Sequence, residues 1–216
     1  MSDNADSFEI MKRLYLDWYH KNCIFNSTWM GRPALKTCID AWAFQEIIYD
    51  TKPDIIIEIG NNTGGSTLFL ANILDSLGTG RIIGIDIDHQ KVRDLNHKRI
   101  TWITGDATSS EVLEMVKNQI KGGEKVMVIE DSSHQFGTTL SILELYSSLV
   151  SIGCYFIVED GICKEDFIQG PKPGPFEATY EFLKNHPEFR IDKNREKFLF
   201  TYNPDGYLLK VKSQPT

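Results

Sequence analysis

Acidic residues end two apolar stretches of this chain. Asp131 ends KVMVIEDS (125–132), and Glu159 with Asp160 ends CYFIVED (154–160). If these stretches are neighbouring strands, the three carboxylates meet at one edge of a sheet, where they repel one another. A hard divalent cation removes that conflict, and an all-oxygen ligand set favours Mg²⁺, Mn²⁺ or Ca²⁺ over zinc. The pattern therefore predicts a metal site formed by Asp131, Glu159 and Asp160.

A histidine follows the first of these acids. His134 lies three residues after Asp131, on the segment that leaves the predicted strand. A metal ion lowers the proton affinity of a bound hydroxyl oxygen, and a nearby imidazole then accepts the proton. A lone histidine is more often structural, so a catalytic pair of His134 and Asp131 is a hypothesis. The preceding Glu130 leaves an alternative open, because either neighbouring acid could be the metal ligand.

A glycine-rich segment, EIGNNTGGST (58–67), follows another apolar stretch. Its spacing is close to that of the phosphate-binding loop G-x-x-x-x-G-K-[ST], but Ser66 stands where that loop has lysine. Dinucleotide loops read G-x-G-x-x-G, and position 62 here is Asn. S-adenosylmethionine requires neither feature, because it carries no phosphate. The segment therefore predicts a loop for that cofactor, with these candidate contact residues: Glu58, Gly60, Asn61, Gly64, Gly65 and Ser66.

Two further acids end predicted strands beyond the glycine-rich segment. Asp86 follows that segment by about 20 residues, the spacing at which a carboxylate accepts hydrogen bonds from ribose hydroxyls. Asp106, with Ala107 beside it, ends the next strand and is placed to meet the adenine edge. Either acid alone could instead cap the helix that follows. Together with the glycines, they indicate an adenosyl pocket.

Six segments stand in order between Trp29 and Leu183: WMGRPALKTCIDAWAFQEII, IEIGNNTGGST, GIDID, DSSH, IVEDG and GPFEATYEFL. As a set they resemble the cephalosporin hydroxylase family, a name given to class I S-adenosylmethionine-dependent methyltransferases, among them rhamnosyl O-methyltransferases. The resemblance implies a divalent metal held by acids at the two strand ends described above, with Asp131 rather than Glu130 as ligand. Similar enzymes have a Lys or His base near this point, which favours His134.

The elements that must position these residues alternate between strands and helices. Near-continuous apolar runs predict strands buried on both faces at 54–60, 81–88, 100–107, 125–132 and 154–160. Helices are predicted near 65–78, 89–97, 109–121, 136–150 and 174–186. This alternation is typical of a doubly wound, Rossmann-like α/β fold, and the resemblance implies a mostly parallel sheet of seven strands.

The C-terminal and N-terminal parts differ from this alternation. Residues 189–211 have no room for a crossover helix, and they predict an antiparallel hairpin at the edge of the sheet. We interpret residues 1–216 as a single methyltransferase domain, with 1–53 as a helical N-terminal cap and 54–216 as the Rossmann-like core. Within the cap, helices are predicted at 7–21 and 40–50, joined by an ordered loop.

Two segments are candidates for the walls of the pocket. The Gly/Pro-rich loop 161–178 directly follows the acids, and its length favours a lid or an acceptor wall. The opposite wall has these candidates, of which the first equally suits the core: Trp29, Met30, Arg32 and Lys36.

Composition excludes several classes of partner. A formal net charge of −7 argues against a nucleic-acid partner, which would need a concentrated basic face. No apolar run approaches the ~20 residues of a membrane span, and the N-terminus lacks the features of a signal peptide. We therefore expect a cytoplasmic protein without a membrane partner. The sequence does not determine the oligomeric state and is compatible with a homo-oligomer.

The leading interpretation is a metal-assisted O-methyltransferase of natural product or polysaccharide biosynthesis. It would act on a hydroxyl of a sugar or a small secondary metabolite. One alternative is a non-catalytic accessory protein that binds an adenosyl cofactor. Another is an iron-dependent hydroxylase, which needs two histidines and a carboxylate. The only His-x-Glu pair, His186-Pro187-Glu188, lies at the end of a predicted helix, away from the strand ends.

Overall fold

The computed structural model describes residues 2–168 and 170–211, with side chains from residue 7 onward. A small N-terminal hairpin consists of β1 (Thr28–Trp29) and β2 (Arg32–Pro33). The strands of the main sheet are β3 (Ile55–Ile59), β4 (Arg81–Asp86), β5 (Ile100–Thr104), β6 (Val126–Glu130), β7 (Tyr155–Val158), β8 (Phe189–Ile191) and β9 (Tyr207–Lys210). They form a seven-stranded sheet in the order β5-β4-β3-β6-β7-β9-β8.

The first five strands of this sheet are parallel, as their apolar sequences predicted. Strand β3 is buried at every position, because helices cover both faces of a doubly wound sheet. It has β4 on one side and β6 on the other, so the strand order reverses at β3. Ligands of such sheets bind beyond the carboxyl ends of the strands at this reversal. The predicted doubly wound fold is confirmed.

The helices are α1 (Ser2–Asn22), α2 (Cys38–Thr51), α3 (Gly65–Leu77), α4 (Ser110–Lys117), α5 (Phe136–Tyr146) and α6 (Pro175–Leu183). They agree with the predicted helices, apart from shifts at the ends. A further predicted helix, at 89–97, is wrong, because only the 3-10 turn Gln90–Val92 forms there. Polar groups of this segment are used elsewhere: His89 Nδ1 lies 2.8 Å from Thr104 Oγ1, and Lys91 Nζ donates to Asn62 Oδ1 at 2.7 Å. Such long-range bonds override the local helical preference.

The C-terminal hairpin is confirmed. Strands β8 and β9 pair antiparallel, and β9 also pairs antiparallel with β7, so that β8 forms the edge of the sheet. The connection between β8 and β9 contains the 3-10 turn Lys193–Glu196 and no crossover helix.

The N-terminal segment is attached to the C-terminal part of the chain by a buried carboxylate. Asp40, near the start of α2, accepts hydrogen bonds from Tyr202 N and Tyr207 OH, both at 2.9 Å. Thr201 Oγ1 donates to the same carboxylate at 2.5 Å. These bonds hold the start of α2 against the segment that precedes β9 and the first residue of that strand. Among the described helices, none is long and apolar enough to cross a membrane.

Candidate active site

A cavity of about 530 Å³ lies at the carboxyl ends of the central parallel strands. The glycine-rich segment forms one side of it, and the acids at or just beyond the ends of β4, β5, β6 and β7 form others. Of the predicted site residues, these line the cavity: Gly60, Asn61, Gly65, Ser66, Asp86, Asp106, Ala107, Asp131, His134 and Asp160. Glu58, Gly64 and Glu159 lie outside this lining.

Two glycines allow other parts of the backbone to approach the cavity closely. A Cβ atom on Gly60, which has a φ of 92°, would lie 1.9 Å from the carbonyl oxygen of Asp131. A Cβ atom on Gly65 would lie 2.0 Å from the carbonyl oxygen of Pro33. The first contact joins the loops after β3 and β6, and the second holds β2 against the start of α3. Glycine is therefore required at both positions by the backbone that lies against it.

Glu58 supports the glycine-rich segment from below the cavity. Its buried carboxylate accepts hydrogen bonds from the hydroxyls of Ser66 and Thr67, and from Asn61 Nδ2 at 2.8 Å. Burial raises the pKa of Glu58. The Ser66 hydroxyl is thus used within the protein, at the position where a phosphate-binding loop has lysine. Gly64 also faces away from the cavity, towards the side chains of Val92 and Leu95.

The two predicted adenosyl-binding acids are both at the cavity. Asp86 Oδ2 accepts hydrogen bonds from the backbone N–H groups of Asn61 and Asn62, both at 2.8 Å, so that it also fixes the glycine-rich loop. Asp106 Oδ1 accepts from Thr108 Oγ1 at 2.7 Å and from Thr108 N at 2.8 Å. These bonds from Thr108 lower the pKa of Asp106. Both acids therefore have fixed orientations.

Asp131, His134 and Asp160 form a cluster at the other end of the cavity. One ligand atom of each residue lies within 4.8 Å of the corresponding atoms of the other two. His134 Nε2 is 3.0 Å from Asp160 Oδ2 and 3.4 Å from Asp131 Oδ1. His134 and Asp160 both have a φ of 56°. This left-handed conformation costs a non-glycine residue about 1–3 kcal/mol, so the surrounding structure holds the two side chains in place.

The charges of the cluster suit a divalent cation. Burial acts to lower the pKa of His134, but its hydrogen bonds with Asp131 and Asp160 outweigh this and raise the pKa. The imidazolium thus supplies the positive charge that the two carboxylates require. The two carboxylates are also suitable ligands for a divalent metal, which would supply the positive charge in place of the imidazolium.

This cluster differs from the predicted set of three carboxylates. Glu159 is buried and forms an ion pair in which both of its oxygens accept from Lys36 Nζ. Glu159 and Asp160 both follow the end of β7, and Asp160, with its left-handed backbone, lines the cavity, while Glu159 points towards the segment before α2. The third residue of the cluster is therefore His134, and not Glu159.

Glu130 lies outside the cluster. Its carboxylate accepts hydrogen bonds from Ser132 Oγ at 2.8 Å and Thr139 Oγ1 at 3.0 Å. Burial raises its pKa to about 7. The structure thus places Asp131, and not Glu130, at the cavity, while the role of Asp131 as a metal ligand stays a prediction.

Several features of the walls were not predicted. Pro33, Ala34 and Leu35 line the cavity on the N-terminal side. Of the candidates for this wall, Trp29 packs on Phe69 and donates to Asn72, outside the cavity lining. Ile87 lines the cavity and is 76% exposed. An apolar residue directly after a strand-terminal acid was the signal that could have identified Ile87.

Two other sequence features lie away from the cluster. In the loop 161–178 the structure describes every residue except Gln169. None of these described loop residues lines the cavity. A lid function for this loop stays a prediction. His186 lies 3.0 Å from the Glu188 carboxylate and stacks on Phe182, with 3.9 Å between the ring centroids. The His-x-Glu pair is therefore used in hydrogen bonding and packing, away from the cluster.

Comparisons with known proteins identify the family of the chain. The family model described as Rhamnosyl O-methyltransferase/CmcI matches residues 21–211. The rhamnosyl O-methyltransferase of Mycobacterium leprae (strain TN) is 32% identical over 205 residues, which cover 91% of this chain and 89% of that relative.

Solved structures establish the same fold at lower identity. CmcI with Mg-SAM has a TM-score of 0.70 at 20% identity and covers 88% of this chain and 79% of its own. The MycE methyltransferase of the mycinamycin biosynthetic pathway, with Mg and SAH, has a TM-score of 0.54 at 20% identity. That match covers 79% of this chain and 48% of MycE. On the match to its model over most of the sequence, the chain belongs to the rhamnosyl O-methyltransferase/CmcI family.

Proposed function

We propose that this protein is an S-adenosylmethionine-dependent O-methyltransferase that uses a divalent metal, preferably Mg²⁺. One observation carries the proposal: a single cavity has a glycine-rich loop with two fixed acids at one end and the Asp131–His134–Asp160 cluster at the other. Family membership supports it. So do the similar structures of CmcI with Mg-SAM and of MycE with Mg and SAH.

The glycine-rich end would hold the cofactor. Gly60 and Gly65 bring backbone N–H groups close to the ligand, while Asp86 and Asp106 accept hydrogen bonds from its ribose and adenine. Ile87 offers an apolar surface to the adenine ring. Since the loop has no lysine at position 66, it is suited to a ligand without a triphosphate.

The cluster would hold the metal and the acceptor. Asp131 and Asp160 are the proposed ligands, with Glu159 as a further carboxylate beside them. When bound, the metal lowers the proton affinity of the acceptor hydroxyl, and S-adenosylmethionine supplies an activated methyl group. A bound metal would supply positive charge in place of the imidazolium, and a neutral His134, whose ring lies beside both carboxylates at the cavity wall, would then accept the hydroxyl proton. The chain contributes mainly by orienting the reactants.

The proposed acceptor is a small molecule with a sugar hydroxyl. The relative from Mycobacterium leprae is named for a rhamnosyl acceptor, and MycE belongs to the mycinamycin pathway. A sugar hydroxyl with a neighbouring oxygen offers two ligand atoms to a metal. A panel of methyl glycosides and catechols, assayed for methyl transfer, would separate sugar from phenolic acceptors.

Calorimetric titration of the metal-stripped protein tests the cofactor. The ligands are S-adenosylhomocysteine, ATP and NAD, each with and without Mg²⁺. We expect S-adenosylhomocysteine to bind in preference to the others and Asp86→Ala to weaken that binding. The neighbouring Asp88→Ala is the matched control, because Asp88 is exposed and lies outside the cavity lining. Preferential binding of ATP with Mg²⁺ would contradict the proposal. Cofactor binding without methyl transfer to any acceptor would favour a non-catalytic accessory protein.

A further inference from the structure

His89 lies between three segments at the glycine-rich end of the cavity. It follows β4, directly after Ile87 and Asp88. One ring nitrogen, Nε2, lies 3.3 Å from Asn61 Oδ1 in the glycine-rich segment. The other, Nδ1, lies 2.8 Å from Oγ1 of Thr104, at the end of β5. His89 is itself outside the cavity lining, so it can affect a bound ligand only through its neighbours.

The partners of the His89 ring determine which nitrogen carries its proton. Asn61 Nδ2 donates to the Glu58 carboxylate at 2.8 Å, so the amide oxygen of Asn61 faces His89 and can only accept. His89 Nε2 therefore carries the proton and donates to Asn61, while Nδ1 accepts from the Thr104 hydroxyl. Burial lowers the pKa of His89 despite two nearby carboxylates, which favours this neutral form of the ring.

Packing against β4 and β5 supports the His89 ring. It lies against the Trp102 ring, with 5.0 Å between the ring centroids. Trp102 of β5 pairs with Gly84 of β4. A Cβ atom on Gly84 would lie 2.6 Å from Trp102 Cε3 and 3.0 Å from Asn61 Oδ1. The glycine thus leaves room for both groups that contact His89.

The turn from Asp86 to His89 is held at both ends by the same residue. Asp86 Oδ2 accepts from the backbone N–H group of Asn61 at 2.8 Å, and His89 donates to the side-chain oxygen of Asn61. Between these two contacts lies Ile87, which lines the cavity and is 76% exposed. A side chain with so little packing of its own binds a ligand better when its backbone is already fixed, because less conformational entropy is lost on binding.

We propose that His89 is a positioning residue for the adenosyl cofactor. By donating to Asn61, it fixes the turn that carries Ile87 relative to the glycine-rich loop, and so holds Ile87 against the adenine ring. The inference rests on the proposed cofactor site and extends it to a residue that does not line the cavity. It assigns the effect to the hydrogen bond with Asn61, and not to the contact with Thr104 or to the packing on Trp102.

Three substitutions of His89 separate the contacts of its ring, with the affinity for S-adenosylhomocysteine measured by calorimetry. The side-chain amide of Gln can take the place of Nε2 and that of Asn the place of Nδ1, whereas Phe keeps a ring and has neither polar atom. His89→Phe and His89→Asn should each weaken binding by about fivefold, the usual effect of one lost hydrogen bond. His89→Gln should bind within about twofold of the wild type, because it keeps the donor to Asn61.

Another histidine provides the matched control. His97 is also partly buried, lies 3.1 Å from the Asp75 carboxylate and is outside the cavity lining. His97→Phe should therefore bind S-adenosylhomocysteine like the wild type. Thermal unfolding checks that each variant is folded. If His89→Phe is unfolded, His89→Asn takes its place in every comparison.

A double-mutant cycle tests whether His89 acts through Ile87. Ile87→Ala should weaken binding of S-adenosylhomocysteine in the wild-type background and much less in the His89→Phe background, because the turn is then no longer held. Additive losses would overturn the inference. So would normal binding by a folded His89→Phe, or a loss in His89→Gln as large as that in His89→Phe. A wild type that does not bind S-adenosylhomocysteine would instead refute the proposed cofactor, and the inference with it.

Discussion

The ammonium group of Lys36 forms a buried ion pair with the Glu159 carboxylate, beside the Asp131–His134–Asp160 cluster. Their side chains are 5% and 7% exposed, and Lys36 Nζ also lies 4.7 Å from the centre of the Phe44 ring. Burial acts to lower the pKa of Lys36, but the carboxylates of Glu159 and Asp131 outweigh this and raise it. The pair connects the segment before α2 to the end of β7, so it fixes one wall of the cavity relative to the cluster.

Lys36→Met should reduce the free energy of unfolding by about 3–5 kcal/mol, because it leaves the Glu159 charge buried without a partner. The double variant Lys36→Met/Glu159→Gln removes that charge and should be more stable than the single variant. Urea unfolding of both variants measures the difference. Equal losses of unfolding free energy in the two variants would show that an unpaired Glu159 charge is not what destabilises Lys36→Met.

Asn at position 131 or 160 should weaken metal binding by at least about tenfold, since each change removes one carboxylate from the cluster. Asn is the suitable replacement for Asp160, because it tolerates the left-handed conformation found there. Titration with Mn²⁺, followed by electron paramagnetic resonance, measures the affinity. Asp106→Asn is the control, because it alters an acid of the same cavity outside the cluster. An unchanged affinity in both cluster variants would place the metal elsewhere.

His134→Asn should slow methyl transfer by about 10²–10⁴-fold, the usual contribution of a general base. Asn again suits the left-handed backbone of this residue. Binding of S-adenosylhomocysteine should not change, because the glycine-rich loop lies at the other end of the cavity. Single-turnover kinetics and calorimetry give the two quantities separately. A variant that loses both together would indicate a structural role for the histidine.

The sequence was sufficient to predict which strands would bring acids to one edge of the sheet. Parallel strands buried on both faces have a clear apolar signature, and their carboxyl ends meet at the same edge. The direction of Glu159 could not be predicted, because it depends on Lys36, which lies 123 residues away in sequence. Residues 89–97 show the same limit. Their helical pattern was local, whereas their hydrogen bonds are made with Asn62 and Thr104.

Gly65→Ala should weaken binding of S-adenosylhomocysteine, because the new Cβ atom would lie 2.0 Å from the carbonyl oxygen of Pro33 and displace β2. Gly137→Ala, in α5, is the matched control, because no atom lies within 4 Å of its Cβ position. That change should be neutral, or stabilise the helix by about 0.5–1 kcal/mol. Calorimetry measures the affinity of both variants. Normal binding by Gly65→Ala would mean that the wall formed by β2 is not needed for the cofactor.

Asp75 connects α3 to the start of β5 through charged hydrogen bonds. This contact should make the stability of the protein depend on pH in the acidic range. Arg99 Nε donates to Asp75 Oδ1 at 2.7 Å, and Lys98 and His97 also lie close. The hydrogen bond from Arg99, with smaller effects from Lys98 and His97, lowers the pKa of Asp75 from 3.8 to about 2. A carboxyl group whose pKa is lowered by folding stabilises the folded state above its unfolded pKa. That stabilisation disappears as the pH falls through the folded value.

Asp75→Asn should therefore lower the urea midpoint most at pH values above about 4, and the difference from the wild type should shrink towards pH 2. Asp166→Asn is the matched control, because the Asp166 side chain is 92% exposed and its contact with Lys172 is long, at 3.4 Å. This variant should follow the wild type at every pH. A constant difference between Asp75→Asn and the wild type across this range would mean that the ion pairs with Arg99 and Lys98 do not stabilise the fold. The loss would then come from packing or hydrogen bonds that the amide cannot replace.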